Sequence, residues 1–254
     1  MRCGYPAILA VALGCGGDAP RAPLTVFAAA SLTDAFGEIT LVYERQNPDR
    51  TVRLNLAGSQ QLALQLAQGA DADVFASADL RWMQHVRSRV AGEPVAFARN
   101  RLVAIVPAAN PAGVTSLEHL SRPGLRLVLA AAAVPVGAYS RDALGRLAVD
   151  PRFPTDFARR VLENLVSEEE NVKAVVAKVQ LGEADAGIVY ASDVTAALAR
   201  DVRVVEIPEA ANVTATYPIA VLAAGDTAAA RAFVAVVTSP AGRAVLARHG
   251  FRPP

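Results

Sequence analysis

The sequence predicts an α/β protein whose sheets are largely parallel. Short β-rich runs alternate with helix-period runs from Leu24 to the end of the chain, the order that builds strand, helix, strand units. Glycines stand where helical runs end, and 53% of the 254 residues are hydrophobic against 19% charged. That balance supports a sizeable core, in one large domain or two of about 100 to 150 residues.

The elements follow in order. The first strand, 24–28, is the run Leu-Thr-Val-Phe-Ala, and the second, 51–56, carries Val52, Leu54 and Leu56. A helix opens near Ser59, places Leu62 and Leu66 one turn apart, and ends at Gly69, a glycine cap. Strand 73–76, an amphipathic helix over 79–90 and strand 101–106 come next. Pro107, Pro111 and Gly113 then break the pattern, so a second lobe is expected to begin near 106. Strand 126–130 leads through residues 132–137 into a helix over 138–147. Val172, Val175, Val176 and Val179 form an apolar stripe at i, i+3, i+4 and i+7, closed by Gly182. Strands 186–190, 202–207 and 217–222 follow, and two helical runs, 227–238 and 240–249, finish the chain.

Charge and cysteine usage exclude whole classes. With 25 Lys and Arg against 24 Asp and Glu, the chain lacks the basic excess of a polyanion binder, and nucleic acid is not an expected partner. Cys3 and Cys15 are the only cysteines, which leaves no disulfide framework or thiolate metal site downstream.

The N-terminus reads as a processing segment. Arg2 precedes an apolar run over 5–13, shorter than the roughly 20 residues a membrane span needs. A positive start, an apolar centre and a small-residue exit describe a secretory signal, so residues 1–22 are set apart from the fold. Ala12-Leu13-Gly14-Cys15 further resembles the bacterial lipoprotein box, in which Cys15 would be acylated, although Ala12 stands where leucine is usual. Ordinary cleavage between 15 and 22 is the alternative. Either route takes the protein out of the cytoplasm.

The chemistry concentrates in strand-to-helix turns with small or hydroxyl residues. Phe27-Ala28-Ala29-Ala30-Ser31-Leu32, Ala57-Gly58-Ser59-Gln60, Ala132-Ala133-Val134-Pro135-Val136-Gly137 and Glu170-Asn171-Val172 each join a strand or loop to a helix. Such turns sit at the carboxyl ends of parallel strands, where ligand crevices form. Helix starts offer unpaired N–H groups and the positive end of a dipole, so several converging starts make an anion site without formal charge. Each residue also has a plainer reading. Ser31-Leu32-Thr33-Asp34 is a capping-box pattern, and Ser59 could equally be a cap. Val136 and Val172 could contribute only backbone N–H. Tyr190 fits a half-buried strand tyrosine with its hydroxyl at the rim, and Trp82 fits packing on the 79–90 helix.

Catalytic readings fare worse. No G-x-S-x-G elbow surrounds Ser31 or Ser59, and His85, His119 and His249 show no metal-type spacing. There is no P-loop and no G-x-G-x-x-G after a strand. Glu168-Glu169-Glu170 reads as a solvated acidic run before a helix. A secreted serine esterase using Ser31 or Ser59 remains the remote alternative, without a base at recognisable spacing.

Taken together, these segments resemble the periplasmic molybdate-binding protein family of the bacterial molybdate ABC importer. The resemblance runs from about Leu24 to Phe251 and rests on Val26-Phe27-Ala28-Ala29-Ala30-Ser31-Leu32, Ala76-Ser77-Ala78-Asp79 with Trp82-Met83, and Val134-Pro135-Val136-Gly137-Ala138-Tyr139. Glu170-Asn171-Val172, Gly187-Ile188-Val189-Tyr190-Ala191-Ser192-Asp193 and Tyr217-Pro218-Ile219-Ala220-Val221 complete it. It implies a two-lobed periplasmic-binding-protein-like type II fold, each lobe a mostly parallel sheet flanked by helices, with the ligand in the cleft. Lobe one would be 24–105 plus 217–254, and lobe two 106–216.

The same resemblance implies a site for one tetrahedral oxyanion, molybdate or tungstate. Ser31 and Ser59 would donate from hydroxyl and backbone, Val136 and Val172 from backbone N–H, and Tyr190 from its hydroxyl. Molybdenum would be held only as bound molybdate, with no separate cofactor and no catalysis. The implied partners are the permease and ATPase of an ABC transporter, with a monomeric protein touching the membrane only through Cys15. Two departures stand out: Val136 where the family commonly has alanine, and Gly58-Ser59-Gln60-Gln61 in place of a more serine-rich run. The alternative within the class is a receptor for another oxyanion such as sulfate.

Overall fold

The computed structural model describes residues 22–254. The leader and Cys15 lie outside the described residues. In chain order the strands are β1 (Leu24–Ala29), β2 (Val52–Ala57), β3 (Val74–Ala76), β4 (Val95–Asn100) and β5 (Leu102–Pro107). They continue as β6 (Leu127–Ala130), β7 (Leu165–Glu169), β8 (Ala186–Tyr190), β9 (Val202–Glu206) and β10 (Ala215–Val221). The helices are α1 (Thr33–Gln46), α2 (Ser59–Ala67), α3 (Leu80–His85), α4 (Pro135–Ala148), α5 (Phe157–Glu163), α6 (Val172–Gln180), α7 (Thr227–Thr238) and α8 (Pro240–Arg248).

The strands form two five-stranded sheets, ordered β2-β1-β3-β10-β4 and β7-β6-β8-β5-β9. In the first, β1 pairs parallel with β2 and β3, while β10 runs antiparallel to β3 and β4. The second repeats the plan, with β6 parallel to β7 and β8 and with β5 antiparallel to β8 and β9. Each sheet is therefore mixed, with one strand reversed. The reversed strand is in both cases the one by which the chain enters that sheet from the other. The crossings lie at Arg101 and over 207–214. Leu102 already pairs with Tyr190, so β5 belongs to the second sheet from its first residue, ahead of the proline break at 107.

Local chemistry explains the element ends. Asp79 and Asn171 cap α3 and α6, their side chains accepting from Trp82 N at 2.8 Å and Ala174 N at 3.1 Å. Gly69 and Gly182 follow α2 and α6 at φ 99° and 73°, left-handed positions that favour glycine. Pro218 has no N–H to give, and the β10–β4 register shifts between Tyr217 and Pro218. The helix expected over 79–90 is shorter: α3 stops at His85 and a 3-10 turn, Arg87–Arg89, follows. Two strands have no counterpart in the sequence reading, β4 and β7. The second of these ends in Glu168 and Glu169, whose charge masks the strand.

Packing joins the C-terminal helix α7 to the first lobe. Phe36 of α1 meets Phe97 of β4 and Phe233 of α7 at 5.8 and 5.9 Å between ring centroids. Burying three aromatic rings at one junction is worth several kcal/mol, at about 1.5 to 3 kcal/mol each. Among the described residues no single helix is long and apolar enough to cross a membrane.

Candidate ligand site between the lobes

Six parallel strands, three from each sheet, aim their carboxyl ends at one place. The turns after β1, β2 and β3 face those after β6 and β7 and the end of β8, and together they line a small pocket. Its empty volume is about 220 Å³, below the roughly 300 to 1,000 Å³ of pockets for drug-sized molecules. Ser31, Ser59, Val136, Val172 and Tyr190 all line it, as do Ala78 and Asn171. No Lys, Arg, His, Asp or Glu does.

Neither serine is a helix cap. Ser31 lies in a buried 3-10 turn, Ala30–Leu32, and the N-cap of α1 is Leu32, without a side-chain bond. The Ser31 hydroxyl instead lies 3.0 Å from the Tyr217 hydroxyl. Ser59 is the first residue of α2, with Gly58 at the cap. Its Oγ accepts from Ala78 N at 3.0 Å, which leaves the hydroxyl proton free to donate. The capping readings of Ser31 and Ser59 are thus corrected. Tyr217 is tied to the pocket through Ser31.

The second lobe contributes helix starts. Val136 is the second residue of α4, after Pro135, and Val172 the first of α6. First-turn N–H groups have no acceptor four residues back, so both positions present donors. Tyr190 ends β8, is 1% exposed, and its hydroxyl has no hydrogen-bond partner. It is buried rather than at the rim. Burial pushes its phenol pKa well above the usual value, so it stays protonated and can donate.

Several contacts bridge the lobes around the pocket. Gln60 Nε2 donates to the Glu170 carbonyl at 2.7 Å, and Gln61 Nε2 to the Glu170 carboxylate at 2.8 Å. The Gln60-Gln61 departure thus supplies a cross-lobe clasp. A Cβ on Gly58 would come within 2.5 Å of the Glu170 carbonyl, so the close approach requires glycine. Opposite, Trp82 Nε1 and Arg81 Nη2 both donate to the Ala133 carbonyl, at 2.9 and 2.7 Å. Trp82 therefore does more than pack on its helix. Lys173 of α6 reaches Asp34 of α1 at 2.9 Å.

Two members of the acidic run are ion-paired, Glu168 with Arg141 and Glu169 with Lys178 at 2.7 Å, and the Glu170 carboxylate accepts from Gln61. Among the described residues no group of His, Cys, Asp or Glu could hold a metal ion. No histidine or carboxylate lies in the pocket to serve Ser31 or Ser59 as a base, which the esterase reading requires.

Two similar lobes closing on a donor-lined pocket at strand carboxyl ends define a class, the solute-binding proteins. The chain belongs to the bacterial extracellular solute-binding protein family, whose model matches residues 24–252. Members of that family work outside the cytoplasm, and the protein is a binding protein, not an enzyme. The molybdate-binding protein ModA of Mycobacterium tuberculosis is 41% identical over 263 residues, covering 97% of this chain and 95% of that one. ModA of Haemophilus influenzae is 32% identical, covering 92% and 91%. Among solved structures, the periplasmic molybdate-binding protein of Azotobacter vinelandii superposes with a TM-score of 0.78 at 20% identity, covering 91% of this chain and 99% of that one.

Proposed function

We propose that this protein captures molybdate, and tungstate with it, in the interlobe pocket and delivers it to the permease and ATPase of an ABC importer. The observation that carries the reading is the lining, in which hydroxyl and N–H donors meet with no carboxylate and no cation. Molybdate is a dianion at neutral pH and only accepts hydrogen bonds. A carboxylate in the cage would instead select a protonated anion. Charge is balanced by the starts of α2, α4 and α6 and by hydrogen bonds to the ion, about 1.5 to 3 kcal/mol each. The proposed donors are Ser31, Ser59, Val136, Val172 and Tyr190.

The lobes exchange at the two crossings, and hinge closure there traps the ion. Sulfate has the same charge and shorter bonds, so its rejection rests on cage size. Calorimetric titration with molybdate, tungstate, sulfate and phosphate tests the reading. Tight one-to-one binding of molybdate and tungstate is expected, and binding of sulfate without molybdate overturns it. The protein acts as a monomer held to the membrane through acylated Cys15. Cys15→Ser is expected to release it from the membrane fraction, and an unchanged distribution argues for plain cleavage.

A further inference from the structure

Two buried hydroxyls, Ser31 Oγ and Tyr217 Oη, lie 3.0 Å apart, and only one of their two protons can occupy the bond between them. Which one does decides what Ser31 shows the pocket. If Ser31 donates to Tyr217, it turns lone pairs towards the ligand. If Tyr217 donates, the Ser31 proton points into the pocket.

We infer that Tyr217 is a positioning residue that donates to Ser31 and so fixes the Ser31 hydroxyl as a donor, making the pocket selective for fully deprotonated oxyanions. Three observations carry this. A phenol is a stronger donor than an alkyl hydroxyl. Tyr217 is fully buried between Tyr190, Phe97 and Phe251, with ring centroids at 5.8, 6.3 and 5.3 Å, so its hydroxyl cannot turn to solvent.

The third observation is where the buried phenol proton can go. Ser31 Oγ lies within hydrogen-bond distance of the Tyr217 hydroxyl, and a buried hydroxyl proton left without an acceptor is costly. Burial raises the Tyr217 pKa, so the phenol keeps its proton and has it to donate. If Ser31 donated instead, that buried proton would lose this acceptor, whereas a donating Tyr217 leaves the Ser31 proton to the pocket that Ser31 lines.

The inference rests on the molybdate reading, and a double-mutant cycle separates the two. Molybdate affinity is measured by calorimetry for the wild type, Tyr217→Phe, Ser31→Ala and the double variant, with melting curves confirming that each is folded. Tyr217→Phe should weaken molybdate binding about fivefold in the Ser31 background, the size of one neutral hydrogen bond. In the Ser31→Ala background it should change affinity by less than about twofold, because Tyr217 acts only through Ser31. Tyr217→Phe alone should also narrow the preference for molybdate over phosphate, since the freed hydroxyl can accept from a protonated anion. Equal losses in both backgrounds overturn the inference, as does an unchanged preference. A wild type that ignores molybdate overturns the functional reading instead.

Discussion

The Lys173 ammonium sits 2.9 Å from Asp34 Oδ2 across the cleft and 3.5 Å from Oδ1 of the buried Asp193 on its own side. Lys173 directly follows Val172, so the pair ties the start of α6 to α1 of the other lobe. Asp34 is 46% exposed, and exposed ion pairs are worth about 0.2 to 1 kcal/mol. Asp34→Ala should therefore weaken molybdate binding by less than about fivefold. The difference from wild type should shrink as salt is raised. Titrations at low and high ionic strength check this, and a loss that ignores salt would argue against the ion pair.

Asp193 beneath that lysine gives a pH dependence. Burial raises its pKa to about 6, with Lys173 pulling the other way. The folded chain then holds this proton more tightly than the unfolded chain, whose ordinary carboxyl titrates near 3.8. The contribution of Asp193 to stability is accordingly greatest below about pH 4 and declines as pH rises through about 6. Asp193→Asn removes that segment of the profile. The melting temperature of wild type minus that of the variant should fall between pH 4 and pH 7, and a flat difference would contradict the burial effect.

Tyr190 separates stability from binding. Its hydroxyl is buried with no protein partner, a cost of about 1 to 3 kcal/mol where nothing else accepts or donates. Tyr190→Phe should raise the melting temperature of the ligand-free protein. It should also weaken molybdate binding by about 1.5 to 3 kcal/mol, the range for a hydrogen bond to a charged group. Calorimetry and thermal melting read the two effects independently, and loss of stability with unchanged affinity would mark Tyr190 as structural only.

These residues differ in how legible they were. Ser31, Ser59, Val136 and Val172 stand in turns that directly follow or open periodic runs, so local pattern alone places them at helix starts. Their hydrogen-bond partners carry no such signal. Tyr217 is 186 positions from Ser31, and Ala133 is 51 from Trp82, so only the fold brings them together. For the same reason the capping box at Ser31 read plausibly and was wrong: the chain makes a 3-10 turn there, and the hydroxyl finds a distant partner. β7 was hidden because an edge strand can hold Glu168 and Glu169 on opposite faces and neutralise them from Arg141 and Lys178, a pairing absent from the linear sequence.

Trp82 offers a direct probe of closure. It is the only tryptophan in the chain, and its Nε1 donates at 2.9 Å to Ala133 on the opposite side of the cleft. Arg81 stacks over the indole, 5.1 Å from the ring centroid, and donates to the same carbonyl. Opening the lobes breaks both hydrogen bonds and exposes the indole, so its emission should shift to shorter wavelength when molybdate closes the cleft. Trp82→Phe keeps much of the packing and leaves Arg81 alone on Ala133. One neutral hydrogen bond is worth about 0.5 to 1.5 kcal/mol, so molybdate affinity should fall by about two- to tenfold. Stopped-flow mixing should place that loss in faster dissociation, because the clasp forms after the ion has entered. An emission spectrum that molybdate leaves unmoved would mean that the clasp is equally formed with the pocket empty.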